Sequence, residues 1–271
     1  MKSCINGATT MPYPLEEDIR AAGKAGFEQV EIWADKMKKY LETHSPADLR
    51  ELLDANHVSA STLCPYGIVF FSDKEPHLAA IDAAARVAGE IGCPTLLVCP
   101  DVPPPGMARD AAFEHAGRVA REYGDAAAKH GVRIALEPLG MHPFVPGCDE
   151  ALKILGIADH PALGLMMDTF HYYKSGISIE SIEKMPADKL LVVHINDCED
   201  RPRQELQDSH RLYPGEGVIP LTLMLRVLKA IGYDGALSVE IFRQEYWDRP
   251  IDSIARESLH SLKQAMAIAG V

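Results

Sequence analysis

A chain of 271 residues, 47% hydrophobic and 24% charged, carries enough apolar material for one large core or two small ones. Its formal net charge of -12 disfavours nucleic-acid backbone and anionic membrane as partners, because both attract basic surface. The opening MKSCINGATTMPYP lacks the apolar centre of a signal peptide, and no uninterrupted apolar run reaches membrane-spanning length.

The elements follow one plan along the chain. SCINGA (3–8) reads as a short strand, and LEEDIRAAGKAG after it has apolar residues at helical spacing. FEQVEIW (27–33) is the second strand. Ser45 before Pro46 supplies an N-cap and a first-turn residue for the helix ADLRELLDAN. VSASTLC is the third strand, 76–91 the third helix and CPTLLVCP the fourth strand. An Ala-rich helix over 108–130 leads into GVRIALEP, a helix over 149–157 into ALGLMMD, and ISIESIEKM into KLLVVHIND. PLTLMLRVLKAIG is the next helix, GALSVEIF the eighth strand, and 251–268 a closing helix. Gly26, Gly92, Gly131 and Gly232 fall at helix ends or just before strands, where positive backbone dihedrals are often needed.

Eight strand signals, each followed by a helix signal and with no linker between halves, predict an α/β chain folded as a single-domain TIM (β/α)8 barrel over 1–271. An open doubly wound sheet is the runner-up. GATTMPYP after the first strand is no phosphate-binding glycine fingerprint, which counts against a dinucleotide-binding version. Six cysteines, Cys4, Cys64, Cys93, Cys99, Cys148 and Cys198, are scattered without a Cys-x-x-Cys pair, so a reduced, cytoplasmic protein is expected.

Four strands end on metal-ligand chemistry: Glu137 in IALEP, Asp168 in GLMMD, His194 in LVVHIND and Glu240 in LSVEIF. In a parallel barrel all strand C-termini reach the same rim, so these residues are expected to converge. Three carboxylates crowded together resist ionisation, and a divalent cation reverses that balance while taking the imidazole as a further ligand. A set without cysteine suits manganese, magnesium, cobalt or zinc. Singly, each residue has a plainer reading: Asp168 or Glu137 as a helix cap, His194 as a neutral rim histidine. Glu31 and Trp33 at the end of the second strand, His171 three positions after Asp168, Arg211 before YPGEG in the loop after the seventh strand, and Arg243 and Glu245 after Glu240 are candidate substrate contacts, Trp33 as an apolar wall. Surface solvation, loop ion pairs and packing are their alternatives.

Through SCINGATT, VFF, ALEPLG, MMDTFHYY, HINDCEDRP, RLYPGEGVIPL and SVEIFRQEYW, the chain resembles the xylose-isomerase-like barrel superfamily of sugar-phosphate isomerases and epimerases. Within it, the resemblance is to the inosose (2-keto-myo-inositol) isomerases of inositol catabolism. It implies one divalent metal ion held by Glu137, Asp168, His194 and Glu240, with His171 and Arg211 on the substrate. The implied reaction moves a carbonyl between adjacent carbons of a cyclic polyol ketone through an enediol or enediolate. Glu240 transfers the proton, Glu137 is the second acid or base, and the metal with a cationic side chain stabilises the developing oxyanion. The segment LGMHP lacks the glutamate expected of free-ketose 3-epimerases, and His142 offers a different polar contact there.

Ketose 3-epimerisation, or dehydration of inosose or 3-dehydroshikimate, remains an alternative, since a lyase shares the first proton abstraction and then expels water. A related metal-dependent endonuclease barrel uses a larger ligand set and fits an acidic chain poorly. A non-catalytic binding protein would hold a ligand without exchanging its carbon-bound hydrogen. The expected partner is a small-molecule polyol ketone or ketose, and the helical outer surface is compatible with a homo-oligomer.

Overall fold

The computed structural model describes residues 1–271. Its strands are β1 (Lys2–Asn6), β2 (Gln29–Trp33), β3 (Ser59–Ile68), β4 (Thr95–Pro100), β5 (Arg133–Leu136), β6 (Leu163–Asp168), β7 (Leu190–Ile195), the two-residue β8 (Asp197–Cys198) and β9 (Arg211–Leu212), and β10 (Ala236–Val239). β1 to β7 and β10 form a closed parallel barrel, while β8 and β9 make a small antiparallel ribbon above it. Closure falls between β10 and β1, with Ser3 opposite Leu237, and on its other side β10 sets Ser238 opposite His194.

The helices around the barrel are α1 (Leu15–Ala25), α2 (Ala34–Tyr40), α3 (Pro46–Ala55), α4 (Glu75–Ile91), α5 (Arg109–Ala128), α6 (Cys148–Ala158), α7 (Thr169–Ser175), α8 (Ile179–Glu183), α9 (Leu221–Ala230), α10 (Gln244–Trp247) and α11 (Ile251–Ala269). The alternation expected from the sequence is present. Ser45 caps α3 as the Ser-Pro pair suggests: its Oγ accepts from the Asp48 amide, and Asp48 accepts in return from the Ser45 amide at 2.7 Å. Gly26 and Gly92 close α1 and α4 at φ of 94° and 75°, a region where a Cβ is strained.

Several elements differ from the sequence reading, the ribbon strands β8 and β9 and the short α10 among them. α2 and α7 start directly at the ends of β2 and β6, and both are single short helices that carry too few apolar positions to show a period. β3 runs on past Cys64 to Ile68, so its last residues reach the rim.

Two cores result from the pleat, which sends alternate side chains to opposite faces. The outer one lies between strands and helices and includes Ile19, Ile81, Ile154 and Leu262. The inner one is a plug of Cys4, Cys64, Leu97, Ala135, Met166, Val192 and Ala236, one residue from each of seven strands. Covering both faces explains why these strands read as continuous apolar runs. No helix is long and apolar enough to cross a membrane.

Candidate metal centre

The inner plug dictates what comes next along each strand. Two residues beyond Ala135, Met166 and Val192, the alternation returns to the inward face at Glu137, Asp168 and His194; four beyond Ala236 it returns at Glu240. All four side chains are buried, with Asp168 at 0% exposure and Glu240 at 6%. Their donor atoms form two overlapping groups, Asp168 with His194 and Glu240, and Asp168 with Glu137 and His171; within each group the atoms lie within 4.8 Å of one another. Asp168 joins the two.

Asp168 is held by backbone. Its Oδ1 caps α7 by accepting from the Phe170 amide at 2.8 Å and also accepts from Asn196 Nδ2 at 3.2 Å. That leaves Oδ2 for the cavity, where Arg211 Nη1 lies 2.7 Å away. Burial alone would raise the Asp168 carboxyl, but the cationic Arg211, with His194, holds it well below the usual range.

His194 points one nitrogen each way. Nε2 is 2.9 Å from Glu31 Oε2. Nδ1 is buried without a hydrogen-bond partner, yet lies 3.0 Å from Glu240 Oε2 and 3.7 Å from Asp168 Oδ2. Burial opposes the imidazolium, but Glu240 and Glu31 outweigh it and raise His194 well above its ordinary value. The same anionic surroundings that favour a proton at Nδ1 favour a metal cation there.

Arg211 is the largest fully buried side chain. Nη1 donates to Asp168 and to Glu240 Oε2 (2.9 Å), while Nη2 and Nε both donate to Asp208 Oδ1. Nη2 also faces His171 Nε2 at 3.3 Å. A guanidinium can only donate, so His171 Nε2 accepts and its ring is neutral. Burial, with Arg211 adding to it, lowers His171 accordingly. Glu240 is further fixed by Asn6 Nδ2, 3.2 Å from Oε1. Glu137 accepts from the Cys99 thiol at 3.2 Å. Burial, reinforced by Glu240 and Asp168, pushes the Glu137 carboxyl up to about 8.

These groups open on a cavity of about 150 Å³ whose walls include Trp33, Cys64, Leu139 and Phe242 besides Glu137, His171, Arg211 and Glu240. Trp33 meets Phe242 edge to face at 5.9 Å and also borders a neighbouring groove formed with Met11, Tyr13 and Lys39. Trp33, His171 and Arg211 thus line this cavity. Four other candidates do not reach the cavity. Glu31 sits deeper in the barrel against His194. His142 Nδ1 is occupied by the amides of Phe144 and Val145. Arg243 turns outward to Glu199 and Glu245, and Glu245 itself is 68% exposed.

Asn6, Asn196, Asp208, Cys99 and Phe242 belong to the site and escaped the sequence reading. Asn6 and Asn196 carried a signal, being polar residues at the ends of apolar runs. Asn196 also accepts from Thr169 Oγ1, which ties β7 to the start of α7. The next residue, Asp197, accepts from the amides of Cys198, Gly215 and Ile219 and so anchors both ends of the loop that carries Arg211.

The donor set fits a divalent cation: oxygen and imidazole ligands, no thiolate among them, and a buried His194 Nδ1 with no protein donor or acceptor satisfying it. Asp168, His194 and Glu240 would hold the ion, with Glu137 beside them.

A family model described as xylose isomerase-like TIM barrel matches residues 19–265. Over 256 residues the chain is 33% identical to inosose isomerase of Bacillus subtilis (strain 168), spanning 91% of each chain. It is 32% identical over 256 residues to inosose isomerase of Bacillus velezensis, covering 91% of this chain and 90% of that protein. A 3-dehydroshikimate dehydratase of Pseudomonas putida is 28% identical over 253 residues, which cover 92% of this chain but 39% of that longer protein. A crystal structure of the IolI protein with a bound zinc atom matches with a TM-score of 0.90 at 30% identity, over 98% of both chains.

Proposed function

Because the chain belongs to the xylose isomerase-like TIM barrel family, we propose that it moves the carbonyl group of an inosose-type cyclic polyol ketone to the adjacent carbon, with the help of one divalent cation. It is an enzyme of the isomerase or epimerase type. The observation that carries the finer reading is the convergence of two glutamates, His171 and a buried arginine on one cavity with aromatic walls, where Glu240 also meets the unpartnered Nδ1 of His194 at 3.0 Å. Manganese, magnesium, cobalt and zinc all suit the ligands; the zinc in the related IolI structure makes zinc the first to test.

A bound cation supplies a Lewis acid that polarises the substrate carbonyl and stabilises charge on its oxygen. The protein does the rest. Glu240, oriented by Asn6 on one oxygen and Arg211 on the other, removes the proton from the carbon next to the carbonyl and returns it to the former carbonyl carbon. Arg211, already desolvated, directs its guanidinium at the oxygen that becomes negative. Glu137, the second carboxylate of the cavity wall, exchanges the hydroxyl proton as the double bond shifts. His171 presents its neutral ring to a substrate hydroxyl, while Trp33 and Phe242 form the dry faces against which a carbon ring packs.

Kinship with a 3-dehydroshikimate dehydratase supports a second reading, in which the same proton abstraction is followed by loss of water. Incubation of metal-loaded protein with inososes, ketoses and 3-dehydroshikimate in deuterated water separates the two. Isomerisation gives a product of unchanged formula with deuterium on the former carbonyl carbon, and dehydration gives one lacking water. No exchange with any of these substrates would overturn both. All six cysteines are free, which supports a reduced, cytoplasmic setting.

A further inference from the structure

We propose that Glu31 is a positioning residue for the metal centre: it takes the Nε2 proton of His194 and so reserves Nδ1 as a bare donor toward Asp168 and Glu240. This rests on the reading that the site holds a divalent cation. The Glu31 and His194 side chains are 0% and 1% exposed and 2.9 Å apart. A carboxylate accepts and does not donate, so the hydrogen between them belongs to Nε2. β2 and β7 are not neighbours in the barrel, and the bond therefore spans its lumen.

Two sets of carboxylates compete for this imidazole. Glu240 Oε2, 3.0 Å from Nδ1, would accept a hydrogen there just as readily, and that tautomer has no lone pair to offer a metal. Glu31 decides the contest by holding the hydrogen on the opposite nitrogen and fixing the ring plane. A metal-bound histidine whose second nitrogen donates to a carboxylate is also a more basic ligand. Glu31 Oε1 has no hydrogen-bond partner, and neither has the hydroxyl of Thr62 opposite it on β3. An apolar side chain would fill the barrel interior without that desolvation penalty.

The test uses the full chain, stripped with chelator and titrated with Zn²⁺ against a chelating indicator, in wild type, Glu31→Gln and Glu31→Leu. Expected is a loss of Zn²⁺ affinity of about 10–100-fold, larger for Leu than for Gln, as for other carboxylates behind a metal-bound histidine. The His194 ring nitrogens are read by ¹⁵N NMR on the metal-free protein above the pH at which the imidazolium loses its proton, where only one nitrogen keeps its hydrogen. Nε2–H in wild type and a shift toward Nδ1–H in the variants support the proposal, and a merely structural role would lower stability without moving the tautomer. Folded variants that bind Zn²⁺ within twofold of wild type, or a wild-type His194 protonated on Nδ1 alone, would overturn it while leaving the proposed reaction intact. A wild type that binds no metal would overturn both. Should Glu31→Leu fail to fold, the isosteric Gln variant and the wild-type NMR measurement still decide.

Discussion

Arg211 and Asp168 form an ion pair with side chains 1% and 0% exposed and Nη1 2.7 Å from Oδ2. Such a pair adds little net stability over apolar packing, but removing one member strands the other. Arg211→Ala leaves Asp168 and Glu240 facing each other without their shared cation. Denaturant melts should show a loss of about 3–5 kcal/mol. Added Zn²⁺ or Mn²⁺ should recover part of it, and turnover should fall although metal is retained. Unchanged stability and kinetics would remove Arg211 from both roles.

Glu240→Gln keeps the shape of the side chain and leaves Arg211 its partners Asp168 and Asp208. The fold should therefore survive while turnover drops by about a hundredfold or more, the scale of general acid–base catalysis. Steady-state kinetics on the best inosose, with circular dichroism as control, checks this. Near-native turnover would exclude Glu240 as the base.

Exhaustive chelation should abolish deuterium exchange, and one equivalent of a suitable divalent ion should restore it. Asp168→Ala should fail to recover, because Asp168 belongs to both donor groups. Elemental analysis after desalting gives the stoichiometry directly. Exchange that persists without metal would overturn the role assigned to the ion.

Away from the site, Lys36 Nζ lies 2.7 Å from Asp18 Oδ2 and 2.8 Å from the carbonyls of Gly7 and Thr10, pinning the loop after β1. Lys36→Met should cost about 3–5 kcal/mol, and adding Asp18→Asn should return much of it. Burial pushes Asp18 from 3.8 up to about 7 although Lys36 pulls the other way. The folded chain thus binds an extra proton between those values, so this group's contribution favours folding at acid pH and is lost as pH rises through 7. Without Lys36 the shift grows. The Lys36→Met penalty should consequently be larger at pH 8 than at pH 5, and denaturant melts at the two pH values test the sign.

The barrel was legible because each buried strand had to be apolar on both faces, and the polar residue that broke each run marked the rim. Glu137, Asp168, His194 and Glu240 were singled out in this way, and the structure brings their side chains together. What the pattern does not carry is depth. Glu31 and Trp33 share the inward face of β2, but Glu31 precedes the strand end by two positions, about 7 Å lower in the lumen. It therefore meets His194 while Trp33 meets the cavity. Arg243 and Glu245 follow Glu240 closely in sequence, yet the chain turns outward there and takes them to Glu199. Asp208 is joined to the site only through Arg211, a loop contact that no strand period reports. α7 was hidden because Asp168 ends a strand and caps a helix at once.

That double duty limits how this scaffold can be altered. One oxygen of Asp168 is committed to the first amides of α7 and only the other is free for chemistry. Glutamate would bring equal charge on an arm one methylene too long to begin the helix, and asparagine would begin the helix but forfeit the anion. Any re-engineering toward a different ring or chain must leave this point alone and be carved instead into Trp33 and Phe242, whose shapes can vary without unbuilding the floor beneath them.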